Sequence, residues 1–339
     1  MLTSKAAILQ QSHQNLLIAD IDIPEKLLDR QVLVKISYSS ICGSQLGEID
    51  AIKGPDKFLP HLLGHEGVGI VLDVGPEVSR IKIGERVILH WMKNNEPDAT
   101  NPKYFLENTE INAGQIATFT DYAIISENRL TVVKTDIENV QLAFLGCGAL
   151  TAYGVLTNDL QVNRSENILI LGAGGIGVIT LLMAQALGFT NNFITDKNLS
   201  KMKFIGDISK AGTLQIEDLG ESLSKYNNII DTTGNVKIIE KAYEALEDTG
   251  KLCLVGVTPL NEKITINPMP LHYGKSLIGS FGGSVNPLQD INEITRMITN
   301  GAFKPELACS TVTTLSQLNN TIGLLRGGKV LGKILIQLS

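Results

Sequence analysis

The chain is poor in cysteine, with four in 339 residues. Cys42, Cys147, Cys253 and Cys309 are too widely and irregularly spaced for a disulfide framework. Each is therefore a core residue or a metal ligand. Positive charge is also scarce: 29 Lys and Arg stand against 35 Asp and Glu, a net charge of −6. With no basic run, neither nucleic acid nor an anionic membrane surface is expected as a partner. No apolar run is long enough to cross a bilayer, since the most apolar stretch, 167–188, is interrupted by glycines. The first ten residues lack the apolar core of a signal peptide, so the expected location is the cytoplasm. What remains is an ordinary globular composition, 43% hydrophobic and 19% charged, in a chain long enough for two domains.

The texture of the sequence changes along its length. Residues 1–150 read as β-rich and irregular, punctuated by glycine and proline. Val32-Leu-Val-Lys-Ile-Ser-Tyr alternates at the period of a half-buried strand. The polar, breaker-rich segment 93–114 reads as a surface loop. From about Thr151 the pattern turns to α/β. Asn167-Ile-Leu-Ile-Leu171 fits a strand buried on both faces, followed by an apolar helix over 178–187 that stops at Gly188. Further strands are expected at 193–195, 228–231, 251–257 and 276–280, with a helix over 236–247. That alternation predicts a doubly wound parallel sheet. The tail departs again, with helices over 291–299 and 315–326 and a last strand over 330–336. No internal repeat or low-complexity segment is present.

Gly172-Ala-Gly174-Gly175-Ile176-Gly177 fits the G-x-G-x-x-G pattern between an apolar strand and a helix. There the glycines allow a tight turn and a close approach of pyrophosphate, and the helix N-terminus supplies free N–H groups. Asp196 lies 19 residues past Gly177, at the end of the next expected strand. A carboxylate at that place accepts hydrogen bonds from a ribose diol and repels a 2′-phosphate, which favours NAD over NADP. The competing reading is a glycine-rich turn that binds nothing.

A second constellation consists of Cys42, His65, Glu66 and Cys147. One imidazole, two thiolates and an optional carboxylate make a chemically sound zinc set. Such an ion polarises an alcohol oxygen, the activation needed before a hydride can leave the carbon. Spacing alone leaves the alternative open, because an isolated cysteine is commonly a small buried hydrophobe.

Taken in order, the motifs carry a resemblance. Ile41-Cys-Gly-Ser, Gly64-His-Glu-Gly-Val-Gly, Val74-Gly with Gly84-Glu-Arg-Val, Gly146-Cys-Gly with Thr151-Ala-Tyr-Gly, and Gly172 to Gly177 run almost from end to end. In them the chain resembles the medium-chain dehydrogenase/reductase superfamily, in its zinc-containing alcohol and polyol dehydrogenase branch. The resemblance implies a Rossmann sheet inserted into a mainly β, partly open-barrel (GroES-like) catalytic domain. Residues 1–149 and 281–339 would form the catalytic domain and 150–280 the dinucleotide-binding domain. It implies hydride transfer between NAD and an alcohol, polyol or sugar alcohol, with homodimers or homotetramers as the assembly. Cys42, His65 and Cys147 then hold a catalytic zinc, and Glu66 binds or exchanges at it. Ser44 takes the substrate's proton. Thr151, Val255 and Val257 face the nicotinamide, Lys201 lies near the adenosine ribose, and Trp91 lines the substrate pocket.

Two departures from the pattern stand out. Residues 91–114 hold no cysteine, so the structural zinc of many relatives is not expected and one metal per chain is. The position after Ser44 is Gln45 where relatives carry an Asp that orients the histidine, and Gly47 stands where a relay histidine is common. Two other readings keep the fold: a zinc-free quinone or enone reductase using NAD(P), and a cofactor-binding protein without enzymatic activity.

Overall fold

The computed structural model describes residues 2–214 and 226–338. Three sheets organise it, and the chain is mixed α/β as the sequence predicts. The parallel sheet has six strands, Gly212–Thr213, Asn192–Thr195, Ile168–Leu171, Tyr226–Asp231, Leu246–Leu254 and Ser276–Gly279, in that spatial order. All its neighbouring pairs run parallel. The order reverses between Ile168–Leu171 and Tyr226–Asp231, which opens a crevice at the carboxyl ends of those two strands. Ile168, Leu169, Ile170 and Leu171 are wholly buried, as a strand covered on both faces requires.

The other two sheets form a nearly closed, GroES-like barrel. In one, Gln31–Ile41 is the hub: it pairs antiparallel with Glu66–Val74, with Tyr122–Ser126 and with Lys333–Gln337. The last strand of the chain thus completes a sheet begun near its start. The other sheet holds Thr3–Leu9, Leu17–Asp22, His61–Leu62, Tyr104–Leu106 and Thr109–Ile111. Val68, Ile88 and Leu335 of the barrel share one buried cluster with Leu145, Ala149, Ile170 and Val178, so the two architectures pack through a common core.

Several local expectations shift. Residues 93–114 contain the antiparallel hairpin Tyr104–Leu106 and Thr109–Ile111, anchored by fully buried Tyr104. Its apolar positions are too few to register as a pattern. The helix after the glycine turn begins at Gly175, and the one near residue 236 ends at Ala245, where Leu246 opens a strand. Among the described residues, no helix is long and apolar enough to cross a membrane.

Candidate metal and coenzyme site

Each of three loops delivers one ligand. Cys42 follows the hub strand and is the N-cap of the helix Gly43–Ile49. His65 precedes the strand Glu66–Val74, and Gly64 before it sits at φ +92. A Cβ there would lie 2.4 Å from Thr118 Oγ1, so only glycine lets the chain turn in and aim the imidazole. Cys147 caps the helix Gly148–Gly154. One ligand atom from each of Cys42, His65 and Cys147 lies within 4.8 Å of the other two. That convergence fits a divalent ion held by two sulfurs and a nitrogen.

The charges are arranged to match. A hydrogen bond from the Cys147 thiol, with another from His65, holds Cys42 well below the ordinary thiol range despite burial. The same bond and burial push Cys147 well above that range. Of the pair, Cys42 is thus the sulfur favoured to ionise and Cys147 the one favoured to keep its proton. At His65 burial works against the imidazolium, while the Cys42 sulfur works for it and raises the ring's pKa. Gln45 opposes a second proton, since its amide nitrogen lies 2.5 Å from His65 Nδ1.

Glu66 is not one of the three converging ligands. Its carboxylate is wholly buried and taken up by four donors. The Cys147 and Gly148 N–H groups donate at 3.0 Å each, and Ser40 Oγ and Lys333 Nζ donate from Gln31–Ile41 and Lys333–Gln337. The resemblance assigns this carboxylate to the metal; the structure uses it to tie the Cys147 loop to the barrel. Lys333 is the site residue that sequence reasoning missed. Burial opposes its charge, but Glu66, with Cys42 and Cys147 beyond, holds its pKa above the ordinary lysine value. A lysine inside the apolar run Val330-Leu-Gly-Lys-Ile-Leu-Ile was the available signal, because a buried lysine needs a partner.

Ser44 Oγ is buried and has no hydrogen-bond partner among the described residues. An orphaned hydroxyl is costly, and one two residues from Cys42 fits a group that a substrate would engage. The Trp91 ring stands 6.5 Å from the His65 ring and 5.1 Å from Phe281, edge-on to both. Phe281 is 70% exposed, so the aromatic pair opens toward solvent.

The glycine turn sits at the sheet's reversal point. A Cβ on Gly177 would lie 1.8 Å from Gly172 O, so the turn can close only with glycine there. A Cβ on Gly174 would meet nothing within 4 Å, which leaves open space for a phosphate against the helix Gly175–Ala186, in whose first turn Ile176 lies. Asp196 accepts from Ala173 N and Asn198 N at 2.9 Å, and Lys201 reaches it at 3.3 Å. Val255 follows the strand Leu246–Leu254, with its N–H on Asp231 O at 2.8 Å, and Val257 beyond it is exposed. Thr151 is buried in the helix that begins beside Cys147. Lys333 links the two halves: its stem would touch a Cβ on Gly175, while its ammonium holds Glu66 beside His65.

Comparison with known proteins agrees with the fold. A family described as "Alcohol dehydrogenase GroES-like domain" matches residues 28–165. "Alcohol dehydrogenase-like 3" of Arabidopsis thaliana is 26% identical over 384 residues, spanning 99% of this chain and 96% of that protein. Benzyl alcohol dehydrogenase from Acinetobacter calcoaceticus superposes with a TM-score of 0.87 at 23% identity, with all of both chains covered. An alcohol dehydrogenase zinc-binding domain protein from Burkholderia ambifaria reaches 0.90 at 21% identity, covering 100% of this chain and 99% of that one.

Proposed function

We propose that this chain, which belongs to the medium-chain zinc alcohol dehydrogenase family, oxidises an alcohol or polyol to its carbonyl compound with NAD, and catalyses the reverse. The observation that carries this reading is the meeting of Cys42, His65 and Cys147 within 4.8 Å, beside the unpartnered Ser44 hydroxyl. These three side chains would hold one zinc ion, which when bound polarises the substrate oxygen as a Lewis acid. NAD would supply the acceptor for the hydride of the carbinol carbon.

The chain's own groups supply the rest. Ser44 Oγ accepts the alcohol's hydroxyl proton and passes it toward solvent. Trp91 and Phe281 cover one side of the cluster and shape an apolar entry. Gly172, Gly174, Gly175, Ile176 and Gly177 receive the pyrophosphate, and Asp196 with Lys201 receives the adenosine ribose. Thr151, Val255 and Val257 bound the nicotinamide side. Residues 1–149 with 281–339 act as the catalytic domain and 150–280 as the coenzyme domain. The edge strand Ser276–Gly279, with exposed Met269 and Tyr273 beside it, is the face through which a dimer or tetramer would pair.

Elemental analysis of the purified chain, joined to an NADH-absorbance assay over aliphatic, aromatic and polyol substrates, tests this. About one zinc per chain and turnover that a chelator abolishes are expected. Protein that takes up no zinc even when zinc is supplied, or activity indifferent to the chelator, refutes the proposal.

A further inference from the structure

Gln45 occupies the third position of the helix Gly43–Ile49, whose N-cap is Cys42. Its Oε1 accepts the Cys42 backbone N–H at 2.9 Å, the reach-back half of a capping box. The amide has two different ends. Because the Cys42 N–H can only donate, the oxygen must face it and the NH₂ must face His65 Nδ1, 2.5 Å away. An NH₂ can only donate, so Nδ1 must accept. The neutral ring then carries its proton on Nε2. With Nδ1 taken up by Gln45, the nitrogen left to face the Cys42 and Cys147 sulfurs, whose ligand atoms gather within 4.8 Å of the ring's, is Nε2. Gln45 is 1% exposed, so no bulk water relieves a mismatch.

The metal needs the opposite tautomer. We propose that Gln45 is a positioning residue that holds His65 in its Nε2–H form, so that zinc enters only when this amide turns over and gives up the helix cap. The inference rests on the zinc reading above. For Nε2 to offer its lone pair, its proton must leave and one must appear on Nδ1, with no net change on the ring. The new Nδ1–H requires an acceptor, and the amide oxygen is the group in reach. Turning the oxygen to His65 sets the NH₂ against the Cys42 N–H, two donors facing each other. A carboxylate in the same place has no such conflict, because its two oxygens accept from both neighbours at once. Glutamine therefore makes this a weaker, more readily exchanged metal site than the same cluster with an acid at 45.

The test uses the full chain stripped of metal. Two-bond ¹H–¹⁵N correlation spectra of the histidine rings should show His65 with Nδ1 bare and Nε2 protonated. Gln45→Glu should move the proton to Nδ1 and tighten zinc, measured by chelator competition, about 10- to 100-fold, the range for changing the partner of a ligating histidine. Gln45→Met should also bind zinc more tightly than the parent. It adds no charge, so it separates ring protonation from simple attraction of the ion, and thermal melts of the metal-free protein check its fold. A parent ring protonated on Nδ1, or weaker zinc binding by Gln45→Met, overturns the proposal. If none of the three proteins takes up zinc, the metal reading fails by itself, and the spectra still decide what Gln45 does.

Discussion

Replacing Lys333 with Met should cost far more than its place at the end of the chain suggests. Methionine keeps most of the stem that packs beside Gly175 and removes the ammonium from Glu66. Glu66 is 0% exposed and the Lys333 side chain 3%, so water cannot replace the lost partner. Removing one member of a buried ion pair costs about 3–5 kcal/mol. Three donors stay on the carboxylate, Ser40 Oγ and the N–H groups of Cys147 and Gly148, which places the expected loss near the lower end, about 3 kcal/mol. A small further loss, about 0.5–1 kcal/mol, comes from the ammonium lying 5.9 Å from the centre of the Phe144 ring. Equilibrium urea unfolding should be run on metal-free, coenzyme-free protein, so that ligand binding adds no stability of its own. Adding Glu66→Gln to the lysine variant should restore part of the loss, because no uncompensated charge is then buried. A lysine variant within 1 kcal/mol of the parent, or a double variant whose loss equals the sum of the two singles, would falsify the account of this pair.

Ser44→Ala should separate stability from turnover. The hydroxyl is buried and unpartnered, so its removal should leave stability unchanged or raise it slightly, while kcat/KM falls about 10²–10⁴-fold with zinc content intact. A matching drop in melting temperature would mean that the hydroxyl is structural. His90 should give an acid-side signature. Burial pulls its pKa from 6.5 down to about 4, only partly offset by the Met92 carbonyl, which accepts from its Nδ1–H at 2.5 Å. The folded ring resists a proton that the unfolded chain accepts. This contribution is therefore intact above about pH 6.5, declines as pH falls, and has lost about 3 kcal/mol by pH 4. In urea titrations from pH 7 to 4.5, His90→Gln should lose less stability than the parent; parallel curves would remove His90 as the cause.

The parts of this protein that could be read in the sequence are those whose physics is local. The glycine turn declares itself because strand, turn and helix are contiguous, and Gly177 is required by a contact within the turn itself, with Gly172 O. The parallel sheet could be read for the same reason where a strand is an apolar run, as at Ile168–Leu171; the two-residue edge strand Gly212–Thr213 is too short to register. The metal ligands were legible as residue types, yet their meeting depends on the barrel, and no spacing rule spans such loops. Glu66 shows where local reading stops. Its place beside His65 suggests a group that faces the metal, but its role is set by Ser40, by two backbone N–H groups, and by a lysine 267 residues away in the final strand. In the sequence, the whole parallel sheet lies between that strand and the hub strand. Gln45 goes one step further. Its identity was plain as a departure, but what it does to His65 follows from which end of its amide the Cys42 N–H claims. A one-atom difference, nitrogen in place of oxygen, becomes decisive only where burial leaves no water to make up for it.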